Sequence, residues 1–165
     1  MRTALLGTAF AVLAGAALAT PALADGARVE IQSGTAWDNG QAAKGTIGAA
    51  LGYDYSLTPQ TFIGGEINVD KTLAAHRDTT VGFTGRVGVK LDPRDKLYAL
   101  AGYSVSSGPE GAIVGGGWER QLQGPIYGKV EYRHLFTDNS NDNTGFPDSH
   151  YQQSNQVLVG AGFHF

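Results

Sequence analysis

Apolar residues recur at every second position along this chain, in eight separate segments parted by turn-forming clusters. Period two sets side chains on alternate faces, so each segment reads as a strand with one apolar face. The cleanest is 44–55, where Ile47, Ala49, Leu51, Tyr53 and Tyr55 face one way and Thr46, Gly48, Ala50, Gly52 and Asp54 the other. The same repeat closes the sequence: Val157, Val159, Ala161, Phe163 and Phe165 alternate with Leu158, Gly160, Gly162 and His164. In a soluble sheet such a strand makes a sticky edge. A barrel in lipid removes that edge by pairing its last strand with its first, and turns the apolar face to acyl chains. The expected fold class is all-β, an eight-stranded antiparallel up-and-down transmembrane β-barrel.

The remaining segments follow the same rule. Val29 and Ile31 oppose Arg28, Glu30 and Gln32 in 27–36; Ile63, Ile67 and Val69 oppose Gly64, Glu66 and Asn68 in 61–69. In 80–91, Val81, Phe83, Val87, Val89 and Leu91 oppose Thr84, Arg86 and Lys90. Val114, Trp118 and Leu122 oppose Glu119 and Gln121 in 112–122; Ile126, Val130 and Tyr132 oppose Lys129, Glu131 and Arg133 in 126–135. Segment 97–105 is apolar on both faces, with Tyr98 and Leu100 opposite Ala99, Ala101 and Tyr103, and its facing stays open.

Connections 56–60, 92–96 and 123–125 are short, while most others, such as the polar stretches 70–79 and 137–152, are longer. An even strand number with alternating connection lengths is the pattern of periplasmic turns and surface loops. That threading puts Tyr53, Tyr55, Trp118, Phe163 and Phe165 near the periplasmic rim, and Phe83, Tyr103, Tyr132 and Phe136 near the outer one. Two aromatic belts are the expected result.

The N-terminus reads as an export signal. Arg2 precedes an apolar run from Ala4 to Ala19, Thr20-Pro21 break it, and Ala22-Leu23-Ala24 offers small residues around a cleavage point. Residues 1–24 are expected to be a cleaved signal peptide and 25–165 a single outer-membrane barrel domain. Cysteine is absent, so disulfides contribute nothing to stability. A formal net charge of −3 gives no electrostatic reason to expect nucleic acid. The 24 glycines, with only 6 prolines, suit closely curved sheet.

If the apolar face meets lipid, the other face collects the charges: Arg28, Arg86, Lys90, Lys129 and Arg133 against Glu30, Asp54, Glu66, Glu119 and Glu131. Arg120 is the clear charged exception on the apolar face, near a rim where its stem can snorkel. Eight strands enclose just enough space for side chains to fill. Unpaired buried charge is costly, so the balance predicts a lumen plugged by ion pairs among Glu66, Arg86, Glu119, Lys129, Glu131 and Arg133. A narrow porin-like channel for small solutes is the alternative use of the same charges.

The signal, the alternating strands, the run Leu97-Tyr98-Ala99-Leu100-Ala101-Gly102-Tyr103, the run Lys129-Val130-Glu131-Tyr132-Arg133 and the closing Val157–Phe165 stretch together resemble the opacity-protein-like and OmpA-like small outer-membrane barrels of Gram-negative bacteria, a porin family of surface antigens. The resemblance implies residence among outer-membrane lipid and lipopolysaccharide. It implies insertion by the barrel-assembly machinery, which reads the terminal strand with Phe163 and Phe165. It also makes the surface loops the place for contacts with host, phage or matrix. Beside longer members of that family, the peptidoglycan-binding domain is expected to be missing here and the surface loops modest.

Candidate chemistry is thin, and the expectation is a non-enzymatic protein without cofactor or metal. A lipid A deacylase needs a Ser close to its His, and the pattern of that family places it two residues on, where His134 is followed by Phe136 and His150 by Gln152. His76, His134 and His150 have no metal-ligand spacing. The segment 138–149 lacks the glycine and the final Glu of a calcium loop. A soluble lipocalin-like barrel would need the same strands inverted, apolar face inward, and the Gly-x-Trp signature of that class is missing: Gly34-Thr35-Ala36-Trp37 has the wrong spacing.

Overall fold

The computed structural model describes residues 26–38, 42–73, 79–106, 111–137 and 152–165. The expected signal peptide, His76, His150 and the 138–149 segment lie outside them. Eight strands follow in chain order: β1 Ala27–Asp38, β2 Lys44–Ser56, β3 Thr61–Thr72, β4 Thr79–Lys90, β5 Asp95–Ser106, β6 Gly111–Gln123, β7 Ile126–Thr137 and β8 Gln152–His164. Each pairs antiparallel with the next, and β1 pairs with β8 from Arg28↔His164 to Asp38↔Ser154, which closes the barrel.

Turns 57–60, 91–94 and 124–125 lie at one end, together with Gly26 and Phe165. The tightest, Gly124-Pro125, takes a residue at φ +56°, where glycine has no Cβ to clash. A register shift between Gln121 and Gln123 adjusts β6 to that turn. At 91–94, the Asp92 carboxylate accepts the backbone N–H groups of Arg94 (2.6 Å) and Asp95 (2.8 Å), and these bonds hold its pKa below the usual carboxylate range.

The faces divide as the alternation requires. Ile31, Ile47, Ile67, Phe83, Val87, Leu97, Val130 and Val159 are exposed on the outer wall; Arg28, Glu30, Glu66, Arg86, Glu119, Lys129, Glu131 and Arg133 are buried inside. The inverted barrel is thereby overturned. In β5 the open question resolves with Tyr98 and Leu100 inside, in an apolar cluster with Phe62 and Ile113 against Leu135.

These inward aromatics have a common device. Phe62 pairs across the ladder with Gly88, Tyr98 with Gly117, and Tyr127 with Gly162. A Cβ at those glycines would lie 2.7, 2.6 and 2.7 Å from the respective rings. Each ring lies over a bare stretch of the neighbouring strand, so a narrow lumen holds large side chains without forcing the wall outward.

Candidate functional site: the charged lumen

Every strand carries an acid or a base at an inward position, and the pairs reach across the barrel. Glu66 on β3 is the hub: its Oε2 accepts from Arg28 Nη1 on β1 at 2.7 Å, and its Oε1 from Arg133 Nη2 on β7 at 2.8 Å. Lys129 Nζ stands 3.8 Å from Glu66 and 3.3 Å from Glu131, and also meets Glu30. Arg133 binds Glu131 directly and lies 3.6 Å from Asp70. Glu66, Lys129, Glu131 and Arg133 are thus brought into one group, with side chains nearly free of solvent contact.

Arg86 and Glu119 belong to a second group nearer the short turns. Arg86 does not reach Glu66 or Glu131. Its Nε donates to Asp54 Oδ1 at 2.7 Å and its Nη1 to Glu119 Oε2 at 3.1 Å. Its guanidinium carbon lies 4.8 Å from the Tyr98 ring centroid and 5.3 Å from that of Phe62, two cation–π contacts in a desolvated site. Lys96 Nζ and His164 Nε2 reach Glu119 Oε1 at 2.8 and 2.9 Å. Arg28, 3.7 Å from Asp54, joins the two groups into one network.

Phenols complete it. Tyr98 donates to Glu131 Oε2 at 2.6 Å, and Tyr127 to Glu30 Oε2 at 2.7 Å. Toward the long connections the lining turns to amides and hydroxyls. Gln32 Nε2 donates to Asp70 Oδ1 at 2.7 Å, Asn68 to the other Asp70 oxygen, and Gln156 lies 3.4 Å from Thr46.

Sequence reasoning missed Asp70 and Lys96 because it assigned them to a loop and a turn; β3 continues to Thr72 and β5 starts at Asp95. It also left Phe62 and Tyr127 unplaced. The signal that finds them is positional: each shares the parity of the inward charges and sits opposite a glycine. Lys90, expected inside, lies at the rim, where its Nζ donates to Ser56 Oγ at 2.8 Å. Outside, Arg120 lies 3.4 Å from Asp95.

The belt residues Tyr53, Tyr55, Phe83, Tyr103, Trp118, Tyr132 and Phe136 are all exposed on the outer wall, as are Phe163 and Phe165. Phe83 pairs directly with Tyr103, and both Tyr103 and Phe136 pair with Ala112. His134 sits on that wall too, with Nδ1 2.9 Å from Asn155 Oδ1 and its ring edge-on to exposed Phe136, the residue at the serine's place. Among the described residues no group of three or more His, Cys, Asp or Glu could hold a metal ion.

No protein-family model matches this chain, and neither does any curated protein. Solved structures do. Ail, the attachment invasion locus protein of Yersinia pestis, is similar with a TM-score of 0.60 at 13% identity, over 86% of this chain and 99% of Ail. Neisserial surface protein A gives 0.59 at 14% identity, over 84% of this chain and 96% of its own. The outer membrane enzyme PagL gives 0.55 at 12% identity, over 84% and 99%. All three are outer-membrane β-barrel proteins. The likeness is one of fold, and that fold is found in an enzyme as well as in surface proteins.

Proposed function

We propose that the chain is exported through the signal peptide 1–24 and resides in a bacterial outer membrane as a non-enzymatic barrel with a closed lumen, serving as a structural or surface-contact protein. The observation that carries this reading is the pairing of a buried ionic plug with an apolar outer wall. Strands of 12 or 13 residues rise about 40 Å at ~3.3 Å per residue. A tilt of about 40° brings that to roughly 30 Å, the thickness of the hydrocarbon core. An outer wall of Ile, Val, Leu and Phe is at rest only in lipid, and the aromatic rows suit its two interfaces.

Against transport stands the network itself: Arg28 and Arg133, on β1 and β7, both reach Glu66 on β3, with almost no exposed side-chain surface. Hydrolysis of the deacylase kind would need a serine beside His134, and its partners there are Asn155 and Phe136. Phe163 and Phe165 on the terminal strand serve recognition by the assembly machinery; lipid and lipopolysaccharide surround the wall; surface partners meet the long connections.

The test is gel mobility in SDS of the outer-membrane fraction, unheated and boiled, followed by planar-bilayer recording. The expected result is a compact cold band that shifts on boiling and no steady conductance. A steady single-channel conductance would replace the plug with a channel, and a soluble product with no heat shift would sink the membrane reading.

A further inference from the structure

Inward Gly52, Gly88, Gly117 and Gly162 lie under lumen side chains, but two outward glycines do not. A Cβ added at Gly65 would meet no atom within 4 Å, and one at Gly85 nothing nearer than 3.9 Å. The two pair directly across the ladder, and Gly85 pairs in turn with Ala101. Glycine inside a strand forfeits packing and costs backbone entropy, so a bare strip that nothing in the barrel requires marks close approach from outside.

The strip runs into a shallow groove of about 600 Å3 lined by Val87, Val89, Leu97, Ala99, Gly116 and Trp118. At its short-turn end the next outward residue on β6 after Trp118 is Arg120, across the ladder from Asp95. The Arg120 side chain is 49% exposed and lies 3.4 Å from the Asp95 carboxylate. The turn carrying Arg94 is fixed alongside, its carbonyl accepting the Gln121 N–H at 2.8 Å. An apolar trough with a guanidinium at its mouth has the polarity of one amphiphile: acyl chain along the trough, anionic head at the end. Asp95 offsets part of the positive charge, which favours a single phosphodiester over a polyanion.

We propose that this groove seats one phospholipid of the leaflet around the short-turn end, an acyl chain over Ala99, Gly116 and Gly85 and its phosphate on Arg120. The proposal rests on the membrane-barrel reading. Its test is native mass spectrometry of the full barrel in detergent micelles, titrated with palmitoyl-oleoyl phosphatidylethanolamine or with dioleoylglycerol, which has no phosphate. The wild type is expected to hold one phospholipid about tenfold more tightly than the diacylglycerol, as a charge-assisted hydrogen bond implies. Arg120→Gln should erase that preference. Gly85→Leu, whose added Cβ meets nothing of the barrel nearer than 3.9 Å, should weaken both lipids.

Equal retention of both lipids by wild type and variants overturns the proposal. So does a lipid-free dimer that Gly85→Leu dissociates, since the strip then belongs to a second copy. If the cold band in SDS still shifts on boiling, these results sink the lipid seat and leave the barrel standing. A chain that stays in solution without detergent and shows no such shift overturns both.

Discussion

The two faces of one wall use glycine for opposite ends. Inside, Gly88, Gly117 and Gly162 are bare because Phe62, Tyr98 and Tyr127 lie over them, and Gly52 because the Arg28 guanidinium does, with a Cβ there only 2.5 Å away. Outside, Gly65 and Gly85 have nothing of the protein above them. The inner face is a jigsaw in which small and large residues are chosen in pairs across the ladder; the outer face answers to its surroundings. A substitution should therefore be felt in proportion to what lies over it, and charge sharpens the contrast further.

The largest effect is expected from Glu66→Leu. It leaves Arg28, Lys129 and Arg133 short of a shared counter-charge in a space closed to water, and breaking such a pair costs about 3–5 kcal/mol. The urea midpoint of the refolded barrel in detergent should fall steeply; an unchanged midpoint would mean the network is solvated. Next comes Gly88→Leu, which drives a side chain into the Phe62 ring and should cost roughly 1–3 kcal/mol by overpacking. Its outward counterpart, Gly65→Leu, should stay within about 0.5 kcal/mol of wild type. If the two substitutions cost the same, the contrast between the faces fails.

The smallest effect belongs to the turns. Asp92 holds its proton less readily in the folded chain because Arg94 and Asp95 donate to it. A lowered pKa gives stability that is present above the ordinary carboxylate range and lost as the pH falls through the folded value. Asp92→Asn should lower the midpoint slightly at neutral pH, and the difference from wild type should vanish as the pH falls through the folded value; a difference that persists in acid would trace the effect to something other than this charge.

Much of this was legible in the sequence. Alternation sets the face of every residue once one face is known, so Arg28, Glu30, Glu66 and Arg86 could be turned inward from period alone. Two things were not. Strand ends are written weakly, because Asp70 and Lys96 are as much at home in a loop as in a polar lumen, and both are network members. Partner choice is not local at all. Arg86 selects Asp54 and Glu119 over Glu66 because of the register between distant strands and because Phe62 and Tyr98 flank its guanidinium. Segment β5 was ambiguous for a related reason: Ala99 and Ala101 look like core residues, yet Tyr98 and Leu100 are the ones inside.

The closing ladder between β1 and β8 also sets an order of events. Arg28 on β1 meets Glu66 on β3 and Glu30 on β1 meets Lys129 on β7, and both sit on the strand whose pairing with β8 spans the largest separation in the sequence. Until that seam zips, the lumen is an open gutter and its charges keep their water. Dehydration of the acids and bases is therefore concentrated in the final step, when the most sequence-distant strands join. Expulsion of water from the plug is therefore expected to slow that step, and a barrel with an apolar lumen on the same ladder is expected to close sooner.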